Sequence, residues 1–111
     1  MDVQVTTEDV GVRTVLRVAG EIDVSSADRL RERIALLLSE GRTDLVVDLT
    51  GVTFMDSTGL GLLVGTLKRV RGAGGRLVLV VDSERLLKVF RITGLTQVFT
   101  ITGSLEDALA P

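Results

Sequence analysis

The residues best suited to chemistry are residues 55–59, Met-Asp-Ser-Thr-Gly, where a hydroxyl group follows a carboxylate at the start of a glycine-rich amphipathic segment. An apolar strand and a short turn come just before them, so Ser57 is predicted to lie at the mouth of a helix. Backbone N–H groups and the helix dipole favour added negative charge there. The chain contains no histidine that could act as a base for this hydroxyl. Ser57 is therefore better suited to being phosphorylated than to attacking a substrate.

Each polar residue of this segment also has a structural interpretation. Ser57 could be a helix N-cap, since serine is a preferred cap, and a cap hydroxyl at the surface is still within reach of a kinase. Asp56 and Asp23 could be turn-formers that accept hydrogen bonds from their own backbone, or they could help to present Ser57 to a kinase. Asp48, which is taken to follow a strand, is predicted to be structural, because no lysine follows the later strand to complete a phosphoaspartate or Mg²⁺ site.

The helix after Ser57 is predicted to run to about Arg71 with two distinct faces. Gly61 and Gly65 fall on the outer face beside Leu62, and a glycine in an exposed helix interior costs about 1 kcal/mol relative to alanine. We interpret this face as a flat docking surface for a protein partner, the alternative being that another part of the chain packs there. An exposed Leu62 would also leave a weak homodimer open. The inner face, by helical spacing, carries Leu60, Leu63, Val64, Leu67 and Val70.

The strands that must position this helix are predicted from two kinds of apolar pattern. Alternating apolar residues over residues 3–18 indicate two antiparallel strands joined near Glu8 and Asp9. The nearly continuous apolar runs 45–49 and 77–81 indicate two neighbouring strands that are covered on both faces. A last short strand is predicted around residues 98–101. The order of these strands and the helices between them favours an α/β domain with a mixed sheet.

Helix boundaries are indicated by serines and glycines. Ser25 and Ser104 each have an aspartate three residues later, a pattern typical of a capping box, and Ser83 is predicted to begin a further helix. Gly41 and Gly94 are predicted to end helices. The glycine-rich run 72–75 follows a helix and lacks Gly-Lys-Ser/Thr, so it is predicted to be a turn rather than a phosphate-binding loop.

Composition argues against most enzymes. The chain of 111 residues has 13 basic and 15 acidic side chains with no basic block, which argues against nucleic-acid binding. It has neither cysteine nor histidine, so thiol catalysis, histidine triads and thiolate or imidazole metal sites are excluded. We expect no cofactor, no bound metal and no catalytic activity. No apolar run is long enough to span a bilayer and no secretory pattern opens the chain, so a cytoplasmic location is expected.

Residues 54–61, Phe-Met-Asp-Ser-Thr-Gly-Leu-Gly, resemble the switch segment of the anti-sigma factor antagonists of the STAS superfamily. Three more segments match in the same order: Gly-Glu-Ile-Asp at 20–23, Gly-Gly-Arg-Leu-Val-Leu-Val at 74–80 and Thr-Gly-Leu at 93–95. The resemblance covers essentially the whole chain. We therefore expect a single STAS-like α/β domain over residues 1–111, with a mixed sheet of four to five strands and about four helices.

The resemblance implies a partner switch. In this family, the unphosphorylated antagonist binds an anti-sigma factor that is also a serine kinase, and this frees a sigma factor. The kinase inactivates the antagonist by phosphorylating the serine after the acidic residue, and a metal-dependent serine phosphatase restores it. Carried over, that serine is Ser57 and the acidic residue is Asp56, while Thr58 occupies a position where many members have serine. The partner-binding residues are predicted to be Asp23, Asp56, Ser57, Thr58, Gly61, Leu62 and Gly65.

Two other functions are compatible with parts of the sequence. The same fold could serve as a scaffold in a stress-signalling complex or as an accessory subunit of a membrane lipid transporter. A small enzyme or nucleotide binder is the third hypothesis, but the chain offers no catalytic set for it.

Overall fold

The computed structural model describes residues 2–110, and in this range the strands form a mixed sheet in chain order, β1-β2-β3-β4-β5. Only the β1–β2 pair is antiparallel. The strands are β1 (Val3–Val10), β2 (Arg13–Ile22), β3 (Asp44–Met55), β4 (Arg76–Val80) and β5 (Thr100–Thr102). The helices are α1 (Ala27–Ser39), α2 (Ser57–Gly72), α3 (Glu84–Ile92) and α4 (Leu105–Leu109), with a 3₁₀ turn at Leu95–Gln97. The predicted α/β class, strand number and helix number are confirmed.

The β1–β2 hairpin turns later than the sequence suggested. Its pairing continues to Val10 opposite Arg13, and the turn contains Gly11 with φ +63°. The predicted turn near Glu8 and Asp9 was wrong because these carboxylates serve as cross-strand partners. Glu8 accepts from Arg17 at 3.2 Å, and Asp9 accepts from the Thr14 hydroxyl at 3.1 Å. Glycine adopts positive φ more easily than these residues, so the reversal falls at Gly11.

Strand β3 is longer than its apolar run predicted, since it continues past residue 49 to Met55. Gly51 makes this possible: a Cβ atom there would lie 2.9 Å from the Ala19 Cβ and 3.2 Å from the Val18 carbonyl oxygen. Only a glycine lets β2 and β3 approach so closely. Asp48 consequently lies within the strand rather than after it, and its carboxylate accepts from the Thr50 N–H at 3.0 Å. The short turn predicted between this run and Met55 was therefore wrong, while the contact of Asp48 agrees with its predicted structural role.

Apolar side chains are buried on both faces of the sheet. The larger cluster lies beneath α1, α2 and α3, and the smaller one joins Val15, Val46, Val78 and Val80 to Ala108 of α4. On α2 the predicted inner face is confirmed, because Leu63, Leu67 and Val70 are buried while Leu60 and Val64 are partly buried against the core. This packing fixes the direction of α2 relative to the strand that precedes it.

Most other boundary predictions are confirmed. The runs 45–49 and 77–81 belong to neighbouring parallel strands, with Leu45 opposite Leu77. Ser83 accepts from Leu86 N–H at 3.3 Å and Ser104 accepts from Asp107 N–H at 3.1 Å, as N-caps do. The last strand is shorter than predicted: it begins at Thr100, because residues 95–98 form the 3₁₀ turn and its end.

Candidate functional site

The site is built where β2 and β3 end side by side. Ile22 and Met55 are the last paired residues of these parallel strands, and the Asp56 N–H donates to the Ile22 carbonyl oxygen at 3.1 Å. Each strand then enters a short acidic turn that leads into a helix. Because the carboxyl ends of parallel strands meet at one edge of a sheet, the turns at Asp23 and Asp56 are neighbours.

Asp56 holds the start of α2. Its extended backbone and its carboxylate make it the N-cap, and the same oxygen accepts from Thr58 N–H at 2.9 Å and from Gly59 N–H at 3.4 Å. The alternative that Ser57 is the cap was therefore wrong. A carboxylate one residue earlier reaches the free N–H groups of the first turn, as a cap side chain must.

Ser57 is consequently the first residue of the helix rather than its cap, and it is exposed. Within residues 2–110 its hydroxyl takes part in none of the hydrogen bonds of the structure. Thr58, the next residue, is half-buried. Of the two adjacent hydroxyl groups, that of Ser57 is the more accessible to another protein.

Asp23 organises the neighbouring turn. Its carboxylate accepts from the Ser25 hydroxyl at 2.7 Å, the Ser25 N–H at 2.9 Å and the Ser26 N–H at 3.0 Å. These hydrogen bonds, led by that from the Ser25 hydroxyl, lower the pKa of Asp23 below its ordinary value. The turn-forming interpretation of Asp23 is confirmed, and the carboxylate is held in its ionised form.

The predicted capping box of Ser25 and Asp28 was wrong. Helix α1 begins at Ala27 after Ser26, whose side chain makes no cap hydrogen bond. Ser25 instead donates to Asp23, and Asp28 pairs with Arg31 on the helix surface.

Gly61 and Gly65 lie on an open part of α2. A Cβ atom added at either residue would meet no atom within 4 Å. Within residues 2–110, the alternative that another segment packs on them is therefore wrong. They line a shallow groove between α1 and α2 with a volume of about 260 Å³, whose other lining residues are Arg31, Ile34, Leu62, Thr66 and Arg69.

Leu62 is less exposed than predicted. It is half-buried and packs against the main core cluster, so the expectation of a freely exposed leucine was wrong. The helical wheel placed it on the outer half, but the groove is shared with α1, and Ile34 of that helix lies on the same groove. The weak homodimer through Leu62 stays a prediction.

Sequence reasoning missed the role of Gly59. This residue is buried, and a Cβ atom there would lie 2.6 Å from the Met55 Cγ and 2.8 Å from the Ile22 Cγ2. The absence of a side chain lets the first turn of α2 rest directly on the last pair of β2 and β3. Its position three residues after Asp56 was the only available signal.

Two apolar side chains near the site were also missed. Val24 is 76% exposed in the turn after β2, and Phe54 is 50% exposed near the end of β3. Phe54 lines an apolar groove of about 190 Å³ between β3 and the first turns of α3. An aromatic residue two positions before a polar turn, in a chain with only three phenylalanines, was the signal that could have identified it.

This geometry matches known proteins over nearly the whole chain. The family model for the STAS domain matches residues 3–108. The chain belongs to the STAS domain family. It is 45% identical over 109 residues to the anti-sigma-B factor antagonist of Bacillus subtilis, covering 98% of this chain and 95% of that protein.

Solved structures give the same result. An anti-sigma factor antagonist from Mycobacterium paratuberculosis is 30% identical, with a TM-score of 0.83 over 96% of this chain and 91% of that one. The Bacillus antagonist SpoIIAA matches in its unphosphorylated form (25% identity, TM-score 0.73, covering 94% and 92% of the two chains). Its phosphorylated form matches as well (28% identity, TM-score 0.74, covering 96% of each). In residues 2–110, no helix has the length and apolar character needed to cross a membrane.

Proposed function

We propose that the chain is an anti-sigma factor antagonist, a regulatory protein that acts by binding an anti-sigma factor rather than by catalysis. The names of its relatives support this role, and so does the arrangement at the start of α2. The single observation that carries the proposal is that Asp56 takes the capping role and leaves the Ser57 hydroxyl exposed and unbonded. We place this switch in the cytoplasm, where sigma factors meet RNA polymerase.

In the proposed cycle, the unphosphorylated chain binds an anti-sigma factor that is also a serine kinase, and a sigma factor is released. The kinase then transfers the γ-phosphoryl group of ATP to Ser57: the Oγ–P bond forms, the bond to ADP breaks, and the hydroxyl proton is lost. A serine phosphatase removes the group by hydrolysis. SpoIIAA, a member of the same class, has been solved in a phosphorylated form, which supports a phosphorylated state for this chain.

The local geometry explains how the phosphate would act. It would add about −1.5 to −2 charges one residue after the Asp56 carboxylate. That carboxylate already accepts from the N–H groups of Thr58 and Gly59. These donors are therefore not free to compensate a phosphate, and its charge would be directed toward the partner. Burying it in an interface costs desolvation and adds repulsion beside Asp56, so partner binding weakens.

Phosphorylation should change the surface far more than the fold. Ser57 is exposed, so the added oxygen atoms would lie in solvent rather than in the core. Backbone amide NMR shifts of both forms test this. We expect changes confined to the turn and the first helical turn, and changes spread over the sheet would contradict it.

The partner surface would extend from the two acidic turns onto the outer face of α2. It comprises Asp23, Asp56, Ser57, Thr58, Gly61, Leu62 and Gly65. The carboxylates of Asp23 and Asp56 give this surface negative charge. The open groove at Gly61 and Gly65 would let a partner approach the backbone of α2 closely.

The decisive experiment is a paired affinity capture from lysate of the source organism with Ser57→Ala and Ser57→Asp as baits. We expect the Ala form to retain a serine-kinase anti-sigma factor and the Asp form to lose it. Incubating the purified kinase and ATP with Ser57→Ala and Thr58→Ala then identifies the acceptor, since only the first should block phosphate incorporation. Equal capture by both baits, or recovery of a transporter ATPase, would favour a scaffold or accessory subunit instead.

A further inference from the structure

The two halves of β3 have different neighbours. Strand β2 pairs with β3 as far as Met55, whereas β4 pairs with it only over residues 44–48. From residue 49 onward, the edge of β3 that faces away from β2 is paired with no strand in residues 2–110. The unpaired stretch ends at Met55, two residues before Ser57. An unpaired strand edge presents backbone N–H and C=O groups that a further strand can bond.

An apolar groove lies along the same stretch. After β4 the chain enters α3, whose first turns face residues 52–55 across a space of about 190 Å³. From the helix side the groove is lined by Leu86, which is buried, and by Val89, which is half-buried. Phe54 contributes a ring that is half exposed. The groove is large enough for one or two apolar side chains and has a polar rim at Ser83 and Arg85.

We propose that an extended segment of the anti-sigma factor adds to the unpaired edge of β3 and places an apolar side chain in the groove beside Phe54. The combination fits strand addition, in which main-chain hydrogen bonds give affinity and a pocket for an alternate side chain gives specificity. The inference rests on the proposed function, because Met55, which lines the groove, is followed directly by Asp56 and Ser57. The same partner can therefore cover both.

This arrangement adds a second element to the switch. The Phe54 groove is apolar and carries no group that phosphorylation changes, so it supplies affinity in both states. Ser57 lies at the end of the strand edge, where the phosphate would meet the bound segment as it leaves the groove. Phosphorylation then weakens binding by charge at one end of the interface, without needing to close the groove.

The test compares Phe54→Ala with Ile92→Ala. Both remove an exposed apolar side chain, but Ile92 is 73% exposed on α3 and does not line the groove. Binding of each full-length variant to the kinase recovered with Ser57→Ala is measured by titration calorimetry. We expect Phe54→Ala to weaken binding at least about tenfold, as for an aromatic anchor, and Ile92→Ala to change it less than about twofold. Phe54→Leu should retain most of the affinity, and equal thermal midpoints verify that the variants are folded.

Hydrogen exchange provides the second measurement. Amides within residues 50–55 that face the unpaired edge should exchange more slowly in the complex, whereas unchanged exchange would overturn strand addition. Binding unaffected by Phe54→Ala but lost in Ser57→Asp would overturn this inference and leave the proposed function intact. If Ser57→Asp binds like the unmodified chain, the proposed function fails and the inference fails with it. Self-association of the free chain that Phe54→Ala abolishes would assign the groove to a second copy instead.

Discussion

Helix α2 carries glycines on two sides, and the two sides obey different constraints. Gly59 on the inner side is buried against Met55 and Ile22, and any side chain there would collide with them. Gly61 and Gly65 on the outer side have open space where a side chain would be. The fold therefore requires the first glycine and does not require the other two. A residue that costs helix stability without serving packing is a candidate for function.

The contrast also fits the proposed function, in which one helix packs on the core with its inner side and meets a partner with its outer side. The inner glycine brings the helix start onto the ends of β2 and β3, which fixes Asp56 and Ser57 at the edge of the sheet. Because Gly61 and Gly65 have no side chains, the next two turns of α2 leave the groove shared with α1 open. Substitutions on the two sides should therefore affect different measurements, and the expected effects can be ranked.

The largest effect is expected from Gly59→Leu. Its Cβ atom alone would approach the Met55 Cγ to 2.6 Å, so the helix start must move away from the sheet. Overpacking of this kind costs about 3 kcal/mol of unfolding free energy. Gly61→Ala is the matched control, and it should stabilise the chain by about 0.5–1 kcal/mol because alanine is the better helix former. Urea denaturation measures the unfolding free energy of both variants. Equal changes in the two would contradict the distinction between the inner and outer glycines.

The second effect concerns binding. Gly61→Leu fills the open groove with a side chain, so we expect it to weaken kinase binding about tenfold, or about 1.4 kcal/mol, while the chain stays folded. Gly72→Leu is the control, because Gly72 is an exposed glycine at the far end of α2 with nothing within 4 Å of its Cβ position. Titration calorimetry distinguishes them. If Gly61→Leu binds the kinase as tightly as the parent chain, the outer face of α2 is not part of the docking surface.

The third effect concerns the N-cap of α2, Asp56. Asp56→Ala removes the acceptor for the N–H groups of Thr58 and Gly59, so it should cost about 1 kcal/mol of stability. Asp56→Asn keeps an oxygen acceptor in place and should cost only a few tenths of that. Thermal and urea unfolding provide the values. A large loss in Asp56→Asn would mean that the negative charge, and not the cap bond, holds the helix start.

The smallest effect is expected at Asp23, in the turn next to α2. Its pKa is lowered in the folded chain from an ordinary value of 3.8, mainly by the Ser25 hydroxyl. The folded state therefore binds this proton more weakly than the unfolded state. The resulting stability is fully present above pH 3.8 and declines as the pH falls through the lower folded value. The stability of Asp23→Asn should lack this pH dependence, which urea denaturation at a series of pH values measures. If the difference in unfolding free energy between the variant and the parent chain stays constant down to pH 2, the prediction is contradicted.

The sequence contained enough information for the class of fold and for the grouping of the candidate site residues. Apolar runs predicted β3 and β4 as neighbours, helical spacing predicted the inner face of α2, and the resemblance of residues 54–61 identified the family that the comparisons confirm. These features depend on periodicity and on local motifs, which the order of residues records directly. The predicted site residues Asp23, Asp56 and Ser57 do come together at one edge of the sheet.

Where the predictions failed, the deciding contact was made with a neighbouring strand or helix. The hairpin turn moved to Gly11 because Arg17 and Thr14 recruit Glu8 and Asp9 across the strands. Strand β3 passed its expected end because Gly51 fits against Ala19, and Leu62 is half-buried because α1 lies beside it.

The sequence by itself thus determined the fold class, the place of Ser57 at the start of a helix and the outer position of Gly61 and Gly65 on that helix. Only the tertiary structure decided which side chain caps that helix, which glycine the packing requires and where an apolar groove opens next to Phe54. The physical reason is that composition and periodicity act over a few residues. Close approaches and grooves depend instead on distances of a few ångströms between segments that only the folded chain brings together.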